Sequence, residues 1–209
     1  MEKQKIFEQI RGGLIVSCQA LEHEPLYTKE GGIMPLMAKA AAQSGAAGIR
    51  ANTVRDITQI KEVVDLPVIG IIKKDYEGTP MYITVTMKEV DALVACGVEI
   101  VAVQGTGSRR PDGSSAPEFI RAVKEKYPQQ LVMADCATLE EGIACAEAGL
   151  ILWVLRCVAT HRRQKDATIS IMHLSMNFPK NALQRSLQKD ISITRNRQKK
   201  RWKRVHLLW

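Results

Sequence analysis

Long apolar runs, aromatic side chains and cysteine pairs are what this 209-residue sequence has least of. No stretch of about 18 consecutive apolar residues occurs, so a membrane-spanning helix is not expected. The five cysteines include no CxxC pair, and their scatter indicates neither a zinc site nor a disulfide framework. Free thiols of this kind are typical of a reducing compartment. The sequence therefore predicts a cytoplasmic protein that contacts no membrane and holds no metal.

Acidic residues are scarce in one part of the chain only. Residues 151–209 contain 14 Lys and Arg but just two acids, Asp166 and Asp190, whereas the first 150 residues contain 16 basic and 20 acidic residues. The overall net charge of +8 therefore comes from the C-terminal segment. A composition change this abrupt indicates a boundary. We predict one domain over residues 1–149 and a separate basic tail over residues 150–209.

Strand-like and helix-like patterns alternate through the first 150 residues. Continuous apolar runs indicate strands buried on both faces, at 14–18, 47–51, 68–72, 100–103 and 131–134. Helical patterns lie between and after them, at 33–44, 54–63, 86–96, 116–126 and 138–148. Such alternation predicts an α/β protein with a parallel sheet and right-handed crossovers.

The spacing of the strands, about 20–35 residues, suits a (β/α)8 TIM barrel. An open doubly wound sheet is the alternative, but no GxGxxG follows the first strand and no GxxxxGK[ST] occurs. Only about five βα units precede residue 150, so we predict an incomplete barrel. Its fifth strand is expected to keep an open edge.

Polar side chains follow each predicted strand, at the end where parallel barrels carry their chemistry. They are Ser17, Cys18 and Gln19, then Arg50 and Asn52, Lys73 and Lys74, Gln104 and Thr106, and finally Asp135. Cations, amides and a carboxylate together suit a phosphorylated, hydroxylated ligand. Structural alternatives stay open: Lys73 could extend past the rim into solvent, Arg50 could pair with Asp135, and Asp135 could cap the next helix.

Six sequence blocks, in order along the chain, carry a resemblance to a known family. They read GLIVSCQAL at 13–21, EPLY at 24–27, GGIM at 31–34, GIRAN at 48–52, LPVIGIIK at 66–73 and MAD at 133–135. Over residues 10–149 the chain resembles the N-acetylmannosamine-6-phosphate 2-epimerases. Enzymes of that family interconvert N-acetylmannosamine 6-phosphate and N-acetylglucosamine 6-phosphate in sialic acid catabolism, without an organic cofactor.

The resemblance implies roles for four residues. Lys73 matches the catalytic lysine that exchanges the proton on C2, and Gln19, Arg50 and Asp135 match residues that line the substrate site. The C2 proton lies beside the C1 carbonyl of the open-chain sugar, so its removal gives an enolate. A lysine can be that base when desolvation or nearby cations lower its pKa, and Lys74 and Arg50 are the expected neighbours. Reprotonation on the other face requires a second acid/base group.

One departure from the family lies within the matching part of the chain. Gln104-Gly105-Thr106 stands where the family usually has Asp-Ala-Thr after the fourth strand, although 110–113 nearby still fits. The missing carboxylate puts the local substrate contacts in question. A small amino-sugar phosphate is the partner that the resemblance implies, and a homo-oligomer stays open for a full-length chain.

The resemblance ends at Gly149, and a change of reading frame explains the basic tail. When the last base of each codon is joined to the first two bases of the next, residues 150–161 permit DFVGTSLCGYT, in which 153–154 can give only glycine. The same frame permits VIAEGHIH from Arg185 onward and AKEALEAGAFA over 197–208. Similar segments, including a second acid/base glutamate, lie downstream in the family. We therefore expect residues 150–209 to be a frameshift product, and the chain as written to fold poorly and to be weakly active.

Two other functions stay open. The basic residues of 195–204, together with Trp202, could bind a nucleic-acid backbone in a salt-dependent way, although the frame change explains the same basicity. Alternatively, Lys73 could form a Schiff base in another barrel enzyme that acts on phosphorylated sugars.

Overall fold

The computed structural model describes residues 3–150, 152–157 and 169–174. Most of the basic tail, including the candidate nucleic-acid-binding segment 195–204, lies outside the described residues. Along the chain the elements are α1 (Lys3–Ile10), β1 (Ile15–Cys18), α2 (Ile33–Gln43), β2 (Gly48–Asn52), α3 (Val54–Lys61), β3 (Val68–Ile71), α4 (Met87–Ala95), β4 (Ile100–Gln104), α5 (Ala116–Lys126), β5 (Leu131–Cys136), α6 (Leu139–Glu147), β6 (Leu152–Cys157) and β7 (Ile169–Leu174).

Short polar sequences begin the helices that follow the strands. Capping boxes open α4, α5 and α6, with Thr86, Ser115 and Thr138 each pairing with a glutamate three residues later. At the other end, Gly45, Gly97 and Gly149 follow α2, α4 and α6 with φ values of 85°, 67° and 102°. A left-handed residue is what ends a helix and turns the chain toward the next strand. Each of these three glycines therefore ends a helix and leads into the next strand.

All the described strands belong to one sheet, in the order β1-β2-β3-β4-β5-β6-β7. The pairs from β1 to β6 are parallel. Each strand therefore pairs with the strands that precede and follow it in sequence. A doubly wound sheet would reverse its strand order at a switch point, so this order excludes the open-sheet alternative. The α/β fold and the five predicted strands are confirmed.

The expectation of an open edge at the fifth strand is wrong. β6 pairs with β5 in parallel register, with Met133 opposite Leu152 and Asp135 opposite Val154. The sequence of β6 is almost wholly apolar, which suits a strand at this position whatever the origin of the tail. β7 then pairs with β6 antiparallel, so the run of parallel strands ends at β6.

Residues alternate along the strands between two apolar clusters. Val68, Val101 and Val132 belong to the cluster that packs under the helices. The residues next to them in sequence point to the opposite face, here called the inner face, and form the second cluster together with α1. The strand residues of this cluster are Ile69, Ile71, Ile100, Ala102, Leu131 and Met133, and α1 contributes Ile6, Phe7 and Ile10. The parity of a residue therefore tells which face of the sheet it occupies.

The described residues contain neither a helix that could span a membrane nor a disulfide bond. Among the described residues, no helix has the length and apolar character needed to cross a bilayer. Cys18, Cys96, Cys136 and Cys145 are free thiols, and all but Cys96 are buried. Within residues 3–150 the structure therefore contains no disulfide bond.

Candidate active site

Strand parity brings polar residues together at one end of the inner face. Continuing the inner positions of each strand toward its carboxyl end gives Arg50 and Asn52 on β2, Lys73 beyond β3, Gln104 on β4 and Asp135 on β5. In a parallel barrel this is the end at which side chains meet a ligand. The same parity places Ser17 and Gln19 at the top of β1.

Arg50 and Asp135 form a two-point ion pair across the inner face. Arg50 Nη1 donates to Asp135 Oδ1 at 3.1 Å, and Nη2 donates to Oδ2 at 2.5 Å. The Asp135 side chain is 2% exposed and that of Arg50 is 17% exposed. The structural alternative of an Arg50–Asp135 pair is thus confirmed. The alternative that Asp135 caps a helix is wrong, because Thr138 caps α6.

The Arg50–Asp135 pair also reports the curvature of the sheet. β3 and β4 stand between β2 and β5, so the two strands would lie about 14 Å apart in a flat sheet. An arginine and an aspartate side chain cannot span that distance on one face. The sheet must curl so that these strand ends face each other, as they do in a barrel.

Lys73 lies in a hairpin just beyond β3, next to the end of β2. Its backbone N–H donates to Asn52 Oδ1 at 2.9 Å, and the residue is half-buried. It bridges to Ile83 on the returning strand. Lys74, the next residue, is exposed, and its Nζ lies 5.3 Å from the centre of the Tyr76 ring. Lys74 therefore belongs to the exposed side of the hairpin. Of the two cations expected beside Lys73, Arg50 is the one on the inner face.

Gln19 presents an open hydrogen-bond acceptor. Its Nε2 donates to the Ser17 hydroxyl, while its Oε1 is buried and has no partner among the described residues. Buried polar atoms are nearly always paired, so an unpaired acceptor at a strand end needs an explanation. A ligand hydroxyl or amide N–H at the barrel mouth would supply the missing donor.

Gln104, at the end of β4, is held by protein atoms. It is 8% exposed, and its Oε1 accepts from the Tyr82 and Ile83 backbone N–H groups at 2.9 and 3.2 Å. Its Nε2 donates to Thr106 Oγ1 at 3.1 Å. The contacts with Tyr82 and Ile83 could not be read from the sequence, because these partners lie 22 and 21 residues earlier in the chain.

Two threonines near Lys73 have strained backbones. Thr53, which follows Asn52, has φ of 73°, and Thr84, in the hairpin, has φ of 44°. A β-branched residue in the left-handed region costs roughly 1–3 kcal/mol and persists only where its surroundings fix it. The strained backbones of Thr53 and Thr84 therefore indicate that the surrounding structure fixes the conformation of the backbone around Lys73.

Arg110 and two cysteines form a buried cluster outside the inner face. Arg110 is 3% exposed, donates from Nη2 to the Gln104 carbonyl at 2.7 Å and lies 4.0 Å from the centre of the Phe119 ring. Burial lowers the pKa of Arg110 to about 10, so it remains a cation at neutral pH. Hydrogen bonding with Cys145, together with burial, raises the pKa of Cys136, and the same contact and Arg110 lower that of Cys145. The parity of Cys136 directs it toward α6, away from the strand-end residues.

The Arg50–Asp135 pair is expected to matter for stability. Asp135→Ala should lower the free energy of unfolding by about 3 kcal/mol, because it leaves a mostly buried guanidinium without its partner. The matched control is Arg109→Gln, which removes a pair whose side chains are 67% and 56% exposed and should cost less than about 1 kcal/mol. Urea unfolding followed by circular dichroism measures both. Equal losses in the two variants would contradict the assignment of a buried pair.

Comparison with known proteins points to one family. The model of the NanE family, "Putative N-acetylmannosamine-6-phosphate epimerase", matches residues 34–155, more than half of the chain. A "Putative N-acetylmannosamine-6-phosphate 2-epimerase" of Borreliella afzelii is 52% identical over 144 residues, which cover 69% of this chain and 61% of that protein. A protein of the same description from Caldanaerobacter subterraneus is 52% identical over 147 residues, covering 70% and 61%.

A solved structure agrees with these relatives. The N-acetylmannosamine-6-phosphate 2-epimerase from Clostridium perfringens superposes with a TM-score of 0.64 and 46% identity, covering 70% of this chain and 62% of that chain. This chain thus matches about three fifths of the length of these relatives.

Proposed function

The chain belongs to the NanE family of N-acetylmannosamine-6-phosphate epimerases, and from that membership we propose that the complete enzyme interconverts N-acetylmannosamine 6-phosphate and N-acetylglucosamine 6-phosphate. The observation that carries the proposal is the meeting of a lysine, a paired arginine and aspartate, and an amide with an open acceptor at one end of the barrel. These groups are Lys73, Arg50, Asp135 and Gln19. They supply a base and polar contacts for an anionic, hydroxylated substrate.

In this proposal Lys73 is the base that removes the C2 proton of the open-chain sugar. The electron pair of the broken C–H bond moves onto the C1 carbonyl, which becomes an enolate oxygen. Arg50 is the nearby cation that favours this negative charge, and Asp135 holds its guanidinium in a fixed direction. Gln19 Oε1 accepts from a substrate hydroxyl or amide N–H. Return of a proton to the opposite face of C2 gives the epimer.

The acid/base group on that opposite face belongs to the part of the barrel downstream of residue 149. We assign residues 1–149 to a partial barrel domain and residues 150–209 to a frameshifted tail, in which the codons of Gln188 and Lys189 permit the required glutamate in the shifted frame. The family match continues a few residues past this boundary, to residue 155, where β6 occupies the place of a sixth strand. The 209-residue chain is accordingly proposed to be weakly active and cytoplasmic, and a homo-oligomer stays open for a full-length chain.

Solvent deuterium tests the reaction directly. The frame-restored enzyme is incubated in D2O with N-acetylmannosamine 6-phosphate, and proton NMR follows C2. We expect deuterium at C2 of both epimers and, with borohydride added, no covalent adduct on Lys73. A borohydride-trapped adduct without deuterium at C2 would refute the epimerase and favour Schiff-base chemistry at the same lysine.

A further inference from the structure

Lys73 does not stand on a strand of the parallel sheet but on a hairpin that projects from it. β3 ends at Ile71, and the chain then pairs with its own return. The Lys74 N–H donates to the Tyr82 carbonyl at 2.9 Å, and the Thr84 N–H donates to the Ile72 carbonyl at 2.8 Å. Residues 72–84 therefore form a unit, here called the lysine hairpin, whose position relative to the sheet must be fixed by other contacts.

The return strand of the lysine hairpin is fastened to the end of β4 by one residue. The Gln104 backbone N–H donates to the Ile83 carbonyl at 3.0 Å. In the other direction, Gln104 Oε1 accepts from the N–H groups of Tyr82 and Ile83. The side-chain carbonyl thus acts as a backbone carbonyl would in a sheet, and it satisfies two donors at once.

Gln104 is itself fixed from behind. Its side-chain amide donates to Thr106 Oγ1, and its backbone carbonyl accepts from the buried guanidinium of Arg110 at 2.7 Å. The hydrogen bonds of Gln104 with Tyr82 and Ile83 are here called the clamp. The clamp joins the hairpin to a strand in the centre of the sheet, since β4 has β3 on one side and β5 on the other.

We propose that Gln104 is a positioning residue for Lys73: its side-chain carbonyl fastens the lysine hairpin to β4 and thereby fixes the place of the Lys73 amine on the inner face. The inference rests on the proposed function of Lys73. An amide oxygen and a carboxylate oxygen can accept the same two backbone hydrogen bonds. The position calls for an acceptor and does not require a charge.

Hydrogen exchange of the frame-restored enzyme tests the clamp. In Gln104→Met, which keeps the length of the side chain, the Tyr82 and Ile83 amides should exchange about 10- to 100-fold faster. The Lys74 and Thr84 amides, whose acceptors lie inside the hairpin, should change far less. Gln104→Glu keeps the acceptor and should leave all four rates near those of the parent chain. Unchanged exchange of Tyr82 and Ile83 in Gln104→Met would overturn the proposal.

Labelling of the Lys73 amine tests the positioning itself. The rate of acylation by a water-soluble ester is measured against pH by mass spectrometry, with Lys61 as an internal reference. Gln104→Met should change the rate or the pH midpoint for Lys73 at least threefold, and Thr106→Ser, which keeps the hydroxyl that accepts from the Gln104 amide, should not. Identical Lys73 profiles in the parent chain and Gln104→Met would refute the positioning role.

Neither measurement uses a substrate, so the two proposals fail separately. Suppose that Lys73→Met loses deuterium incorporation but Gln104→Met leaves the labelling of Lys73 unchanged. The epimerase proposal would then stand, and the clamp proposal would be refuted. A label that responds to Gln104→Met, in an enzyme that places no deuterium at C2, would keep the clamp and remove the epimerase.

Discussion

Restoring the reading frame after Gly149 is expected to raise C2 proton exchange by at least about 10³-fold over the 209-residue chain. The gain has two sources, since the missing part should supply both the second acid/base group and the contacts to the phosphate. A positioned acid or base alone contributes roughly 10²–10⁴ in rate. Turnover of N-acetylmannosamine 6-phosphate by matched amounts of the two purified proteins measures the difference.

The control for this comparison is the restored chain with one change. The glutamate that the Gln188 and Lys189 codons permit in the shifted frame is replaced by glutamine. This change should abolish most of the gain in turnover while the protein stays folded. Full activity of the unrestored 209-residue chain would contradict the frameshift proposal. So would a gene sequence whose shifted frame lacks the family segments.

Lys73→Met is expected to reduce deuterium exchange at C2 in the restored enzyme by about 10³-fold, because it removes the group proposed to take the proton. Binding of the substrate should fall much less, since Arg50, Asp135 and Gln19 are untouched. Lys74→Met is the matched control, because Lys74 is exposed beside Tyr76, and it should keep exchange within about threefold of the parent. Normal exchange in Lys73→Met would mean that another residue is the base.

The alternation of strands and helices was readable from the sequence because most buried strands are short apolar runs, and several helices begin with a cap or end at a glycine. Prediction fell short where the chemistry begins. β4 and β5 continue through Gln104 and Asp135, beyond the apolar runs that marked them. Site residues interrupt the hydrophobic pattern without ending the strand, so pattern reading ends such strands early.

Other features depend on distant partners and could not be read locally. α1 was not among the predicted helices, yet its Ile6, Phe7 and Ile10 belong to the inner cluster. The sequence offered an Arg50–Asp135 pair as one alternative, and only the curled sheet brings the two together. The role of Gln104 could not be predicted either, because the backbone N–H groups that donate to it belong to a hairpin that no local sequence pattern indicates.

The order of the strands has a consequence for synthesis. Every parallel strand joins a neighbour made immediately before it, so each βα unit can dock as soon as it leaves the ribosome, without waiting for later sequence. Capping boxes on α4, α5 and α6 help these helices to form within the nascent chain. The segment that contains Arg50, Lys73 and Asp135 has therefore already been made when the ribosome translates the altered message downstream of residue 149.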